Sequence, residues 1–190
     1  MLVLVEVDDR VATVTLNRPE ARNAISAELH AQLDDAVTSL DVREDVGCIV
    51  LTGADPAFCA GMDLKSLATE LRAVQKERQR GPAQRSGMMP PHDTPVIGAI
   101  NGPTVTGGLE LAMCCDFLIA SERARFADTH ARVGVMPGWG LTVRLPELIG
   151  RKPLDAPDGP HRHEGRGLDC SVRSLPAPDA RLRGGIGVVE

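Results

Sequence analysis

A chain of 190 residues with 43% hydrophobic content is long enough to bury one sizeable core, and its formal net charge of -5 excludes a general nucleic-acid binder. No apolar run reaches the length of a membrane span, and the N-terminus lacks the basic, apolar and small-residue order of a secretion signal, so a cytoplasmic protein with no membrane partner is expected. The five cysteines, Cys48, Cys59, Cys114, Cys115 and Cys170, include no C-x-x-C pair and no His at metal-ligand spacing, which predicts buried thiols and no metal site.

Val3, Val5 and Val7 alternate with Leu4, Glu6 and Asp8, and Val11 to Leu16 alternates again after Asp8-Asp9-Arg10, which predicts a β-hairpin. Asn17-Arg18-Pro19 breaks the second strand. Ser26 is then a candidate N-cap for a helix whose Leu29, Leu33, Val37 and Leu40 share one face. Cys48 to Leu51 reads as a fully buried strand that ends at Thr52-Gly53, and Ala54 to Asp63 is a loop leading into a further helix near Leu64. Cys59 lies in this Gly-containing turn, but no His is tied to it locally, so the turn alone does not make it a nucleophile.

From Lys65 to Pro91 the balance turns basic, with Arg72, Lys76, Arg78, Arg80 and Arg85 against Glu70 and Glu77. This is either a solvated helix followed by a Gly/Pro/Met loop, or a rim that attracts an anionic ligand. The apolar run Val96 to Ile100 feeds a Gly/Pro turn, and from Gly107 the spacing of Leu111, Ala112 and Cys115 becomes helical, so a helix begins at Gly107-Gly108. Helix starts present free N–H groups, and glycine lets a ligand come close to them, which makes this turn a candidate oxyanion holder. Glu110 follows one turn in, where a carboxylate would move a proton beside a polarised carbonyl; the alternative is a solvated Glu on an ordinary strand, turn and helix.

Phe117 to Ala120 reads as a further strand, and Phe126, a turn at Met136 to Gly140, and a helix from Leu141 to Ile149 that tolerates Pro146 complete the patterned region. β-elements each followed by a helix predict a layered α/β fold with ligand loops on one rim of a sheet. Pro153 to Glu190 differs in kind. It is rich in Pro, Gly and Arg, has no aromatic residue and no sustained period, and is expected to be disordered. His161 and His163 within it lack further ligands at fitting spacing.

Two motifs, Ala57-Phe58-Cys59-Ala60-Gly61-Met62-Asp63-Leu64 and Asn101-Gly102 through Glu110 and Asp116, stand between Asn17-Arg18-Pro19 to Asn23-Ala24 and Pro137-Gly138. In this order they resemble the enoyl-CoA hydratase/isomerase, or crotonase, family over residues 1–152. The resemblance implies a crotonase-like β-β-α spiral, here C-terminally truncated, that takes an acyl-CoA thioester and polarises its carbonyl with two backbone N–H groups. Those donors map to Met62 and Gly107. The first of two catalytic glutamates maps to Glu110, and His130 stands where the family has the second. His130 either replaces that acid, since an imidazole both gives and takes protons near neutral pH, or is a surface His on a site run by Glu110 alone.

The same resemblance assigns Ala21, Arg22, Asn23 and Ala24 to the coenzyme A part of the substrate, Lys65 to its mouth, and Ala60, Gly61, Asp63 and Gly108 to the loops around the thioester. No cofactor is implied beyond the coenzyme A that the substrate carries. Family members form trimers, often paired into hexamers, through helices that follow the Gly150-Arg151-Lys152 region; none is recognisable here, so residues 153–190 read as an unrelated tail whose composition is that of a shifted frame of GC-rich DNA. The implied activity is an enoyl-CoA hydratase of fatty acid metabolism. The alternatives are an isomerase, decarboxylase or hydrolase working through the same enolate, or a truncated pseudoenzyme that binds acyl-CoA without turnover.

Overall fold

The computed structural model describes residues 1–64, 88–149, 169–170 and 187–188. The N-terminal alternation forms the expected hairpin of β1 (Val3–Asp8) and β2 (Val11–Leu16), paired antiparallel from Val3 opposite Leu16 to Asp8 opposite Val11. Its two-residue turn is made by Asp9 and Arg10, both at positive φ (44° and 64°), the conformation whose twist matches that of the flanking strands. Helix α1 (Ala27–Asp41) starts where Ser26 Oγ accepts from Leu29 N at 3.2 Å. Its Leu29, Leu33, Val37 and Leu40 are buried in the core, each contributing roughly 1.5–3 kcal/mol of transfer free energy. Gln32 on α1 fixes the helix to β1 by accepting from the Leu2 and Val3 amides at 2.7 and 3.2 Å.

The main sheet runs in the order β1, β2, β3 (Cys48–Gly53), β4 (Val96–Ile100), β6 (Phe117–Ala120), β9 (Gly187–Val188), parallel from β2 onward. A second sheet runs β5 (Pro103–Val105), β7 (Arg125–Ala127), β8 (Asp169–Cys170). Two details correct the reading of the sequence. Strand β3 is not buried on both faces, since Cys48, Val50 and Thr52 are only half covered. The turn expected after Ile100 contains β5, and β5 and β7 are too short, at three residues each, to show an alternation.

The chain thereby repeats one unit. β4, β5 and α2 (Gly107–Ala112) form one strand-strand-helix turn, and β6, β7 and α3 (His130–Val133) form the next, with the first strand of each in the main sheet and the second in the small one. Cys59 bridges Thr104 in parallel, so the loop after β3 lies along β5 as the counterpart in the preceding unit. Asp116 locks the unit at its base: its Oδ2 accepts from Val96 N at 2.7 Å, and its own N–H donates to Val96 O at 2.9 Å. Asp41, at the end of α1, accepts from the Asp93 and Thr94 amides, and these bonds hold its carboxyl below the usual range. Helix α4 (Leu141–Ile149) contains Pro146 as expected and seats Leu141 and Leu145 in the core.

Leu64 is helical, as expected, and residues 65–87, which hold most of the basic segment, lie outside the described residues. Of the tail read as disordered, the described residues are the two dipeptides of β8 and β9; His161 and His163 are not among them. Among the described residues no helix is long and apolar enough to cross a membrane.

Candidate active site

The loop that ends at Met62 is stitched on both sides. Ala60 N donates to Arg22 O and Ile25 N to Gly61 O, while Asp63 N donates to Ile25 O, all at 2.8–2.9 Å. On the other side Cys59 N donates to Pro103 O at 3.2 Å and Val105 N to Cys59 O at 3.1 Å. Gly61 turns the chain at φ +91°, and a Cβ there would lie 3.1 Å from Gly107 N, so the loop and the start of α2 are in close contact. Gly107 approaches Met62 N in turn, at 3.4 Å from its own ideal Cβ position. Thr106, which precedes the helix, takes the strained φ of 55°. Neither the Met62 nor the Gly107 N–H donates a hydrogen bond to a described residue. Two amides without a hydrogen-bond acceptor among the described residues are thus brought close together.

Beside them lies a cavity of about 260 Å³, bordered by Ala60, Met62, Thr106, Glu110, His130 and Trp139. Glu110 is fully buried, which overturns the solvated alternative. Its Oε1 accepts from Trp139 N at 2.7 Å and Leu141 N at 3.3 Å, so the loop that starts α4 orients the carboxylate. Its Oε2 has no hydrogen-bond partner among the described residues and lies 3.5 Å from His130 Nε2. His130 retains 4% of its surface, so the surface alternative fails as well. Asp128 Oδ1 takes both the ring Nδ1, at 2.7 Å, and the His130 backbone N–H, at 3.0 Å. A carboxylate can only accept, so the neutral imidazole carries its proton on Nδ1 and turns Nε2 to Glu110.

Asp128 and Trp139 did not stand out in the sequence. The signal for Asp128 was its place two residues before His130, the spacing at which an Asp side chain reaches back to the backbone. For Trp139 the contribution is its amide, which no residue type announces.

Several residues assigned to the substrate are spent on the fold. Asn23 is fully buried at φ 55°; its amide donates to Ala54 O at 2.8 Å and Ala57 O at 2.7 Å, and its Oδ1 accepts from Arg18 N at 2.9 Å. It is a tie between loops and not a substrate contact. Asn23→Ala is expected to cost about 1–3 kcal/mol, the desolvation of two orphaned carbonyls, measured as a lower denaturation midpoint. Asp63 is likewise paired, with Arg18 at 2.7 Å, and Gly108 is buried against Cys59. Ala21 and Ala24 are half-buried and Arg22 is exposed at φ 51°, on the same segment that carries Asn23. Ala60 borders the cavity and Gly61 sets the loop. Lys65 lies outside the described residues. Burial raises the Cys59 thiol to about 12, which removes it as a nucleophile.

The chain matches the family model described as enoyl-CoA hydratase/isomerase over residues 6–155. It is 40% identical over 149 residues to a probable enoyl-CoA hydratase of Mycobacterium tuberculosis, covering 78% of this chain and 57% of that protein. A probable enoyl-CoA hydratase of Rhizobium meliloti is 36% identical over 198 residues, covering 99% of this chain and 74% of the relative. The crystal structure of an enoyl-CoA hydratase from Mycobacterium tuberculosis H37Rv superposes with a TM-score of 0.68 at 53% identity, over 79% of this chain and 62% of that one. This chain spans about half the length of most of these curated relatives, 52% of a plant protein and 57% of a mycobacterial one.

Proposed function

The chain belongs to the enoyl-CoA hydratase/isomerase family, and from that premise we propose that it hydrates a 2-enoyl-CoA thioester, with Glu110 and His130 as its proton-transfer pair. The observation that carries this reading is the 3.5 Å approach of His130 Nε2 to Glu110 Oε2, both groups buried at the cavity beside the two unspent amides. The thioester oxygen sits between the Met62 and Gly107 N–H groups, which bear the negative charge that arrives when the double bond is attacked. Glu110 Oε2 takes a proton from water as its hydroxyl joins Cβ of the enoyl group. The enolate then takes a proton at Cα from His130 Nε2. The reaction leaves Glu110 protonated and His130 neutral, and one proton passing across the 3.5 Å contact restores both.

Two features support hydration over an isomerase that shuttles a single proton. Two separate groups are available, one to take a proton and one to give it, and Glu110 is fixed by two amides while only its second oxygen faces the partner. The chain should therefore bleach the conjugated absorbance of a short 2-enoyl-CoA and yield the 3-hydroxyacyl thioester. His130→Ala should lower kcat by about 10²-fold or more with substrate binding retained, and His130→Glu should recover part of the loss. A His130→Ala chain with wild-type turnover would return the second proton to some other donor. Conversion to a shifted double bond, a decarboxylated thioester or free coenzyme A would replace hydration by another outcome of the same enolate.

A further inference from the structure

We propose that Asp128 is the positioning residue of the Glu110–His130 couple, holding the second imidazole proton on Nδ1 so that Nε2 is the nitrogen that gives a proton away and takes it back from Glu110. The inference rests on the hydratase reading and names a component that reading does not contain.

The geometry is specific. One oxygen, Asp128 Oδ1, accepts from both the ring Nδ1 (2.7 Å) and the backbone N–H of the same residue (3.0 Å). The backbone bond fixes where that oxygen stands at the start of α3, and the ring is then oriented about a fixed acceptor. On the far side of the ring, Glu110 is held just as firmly, because its Oε1 is committed to Trp139 N and Leu141 N. The imidazole is thus suspended between two immobilised carboxylates, 2.7 Å from one and 3.5 Å from the other.

The distances make the two contacts unequal, and the reaction needs them so. In its donating form the ring bears both protons, and the Asp128 carboxylate stands 2.7 Å from that cation. Nε2 donates its proton to the substrate carbon, and the proton left on Nδ1 stays with Asp128. Nε2 is then an empty acceptor facing the Glu110 carboxyl that has gained a proton from water, and transfer from Oε2 to Nε2 returns both groups to their starting state. In the resting neutral ring, with Glu110 ionised, loss of Asp128 would leave the Glu110 carboxylate as the strongest acceptor nearby, so the single ring proton would settle on Nε2 instead of Nδ1. The same logic governs a buried Asp behind a catalytic His in a Ser-His-Asp triad.

The test is nitrogen-15 NMR of the His130 ring in the 190-residue chain without substrate, under conditions where the ring is neutral, joined to steady-state kinetics. The wild-type ring is expected to carry its proton on Nδ1. Asp128→Ala should move it to Nε2 and lower kcat about 10²-fold with KM changed by less than about threefold. Asp128→Asn keeps an oxygen for the same two donors and should preserve the wild-type tautomer of the neutral ring, but it removes the charge beside the cation, so its kcat should fall between those of the wild type and Asp128→Ala. An unchanged ring spectrum in Asp128→Ala overturns the proposal, and so does a shifted tautomer that leaves kcat intact. If the wild-type chain turns over no enoyl thioester, the hydratase reading fails while the spectra still decide whether Asp128 sets the ring. Should Asp128→Ala not fold, Asp128→Asn decides by the same spectra: a proton on Nε2 together with full kcat overturns the assignment.

Discussion

Replacing Glu110 by Gln is expected to lower turnover of a 2-enoyl-CoA by about 10² to 10⁴ while leaving thioester binding in place. The substitution is nearly silent for the fold. The amide oxygen can take the position of Oε1, where it accepts from Trp139 N and Leu141 N as the carboxylate does. That choice sends the amide nitrogen to the position of Oε2, 3.5 Å from His130 Nε2, with hydrogens directed at the ring. The chain then keeps its start of α4 and its cavity but has no group there to take a proton from water. Turnover measured beside calorimetric binding of a saturated acyl-CoA separates the two effects. An unchanged kcat would remove Glu110 from the mechanism, and lost binding would mean that the carboxylate serves the pocket's shape.

Gly108→Ala should be damaging for a reason unrelated to charge. A Cβ at this position would stand 2.2 Å from Cys59 O and 2.9 Å from Cys59 C and Cβ, contacts with backbone that no rotamer change can relieve. Helix α2 and the loop ending at Met62 must separate, and forced overpacking of this kind costs about 1–3 kcal/mol. The same movement pulls the Gly107 N–H away from the Met62 N–H. Loss of one oxyanion donor costs ~10² to 10³ in kcat. Denaturant unfolding and kcat should therefore fall together, whereas Gly138→Ala, whose added methyl meets nothing within 4 Å, should leave stability unchanged. A Gly108→Ala chain with intact kcat would show that the two amides do not act as a pair.

Much of the architecture was legible because its signals are local. Alternation along Val3 to Leu16, the helical stripe from Leu29 to Leu40 and the Ser26 cap each depend on neighbours within a few residues, and each formed as expected. The paired glycines at 107 and 108 marked the turn for the same reason, since only a residue without a side chain lets a helix start press on the Cys59 backbone. Resemblance supplied the positions of Glu110, His130, Met62 and Gly107. It also assigned Asn23 and Asp63 to the ligand, and there the fold uses the same atoms for its own loops.

Tertiary structure decided what sequence order leaves open: which polar groups are removed from water, and what each then faces. Whether Glu110 is solvated or buried depends on the amides of Trp139 and Leu141, 29 and 31 positions away. Whether His130 lies on the surface or in the site depends on the segments that cover it and bring it to Glu110, because burial is a sum over contacts from distant segments and leaves no periodic trace. The two sheets, with three-residue strands β5 and β7, exist because register with a neighbour supplies hydrogen bonds that such short segments cannot advertise alone. The residue types of this site are therefore written in the chain, while their protons are directed by a backbone geometry that forms only when the units of the spiral stack.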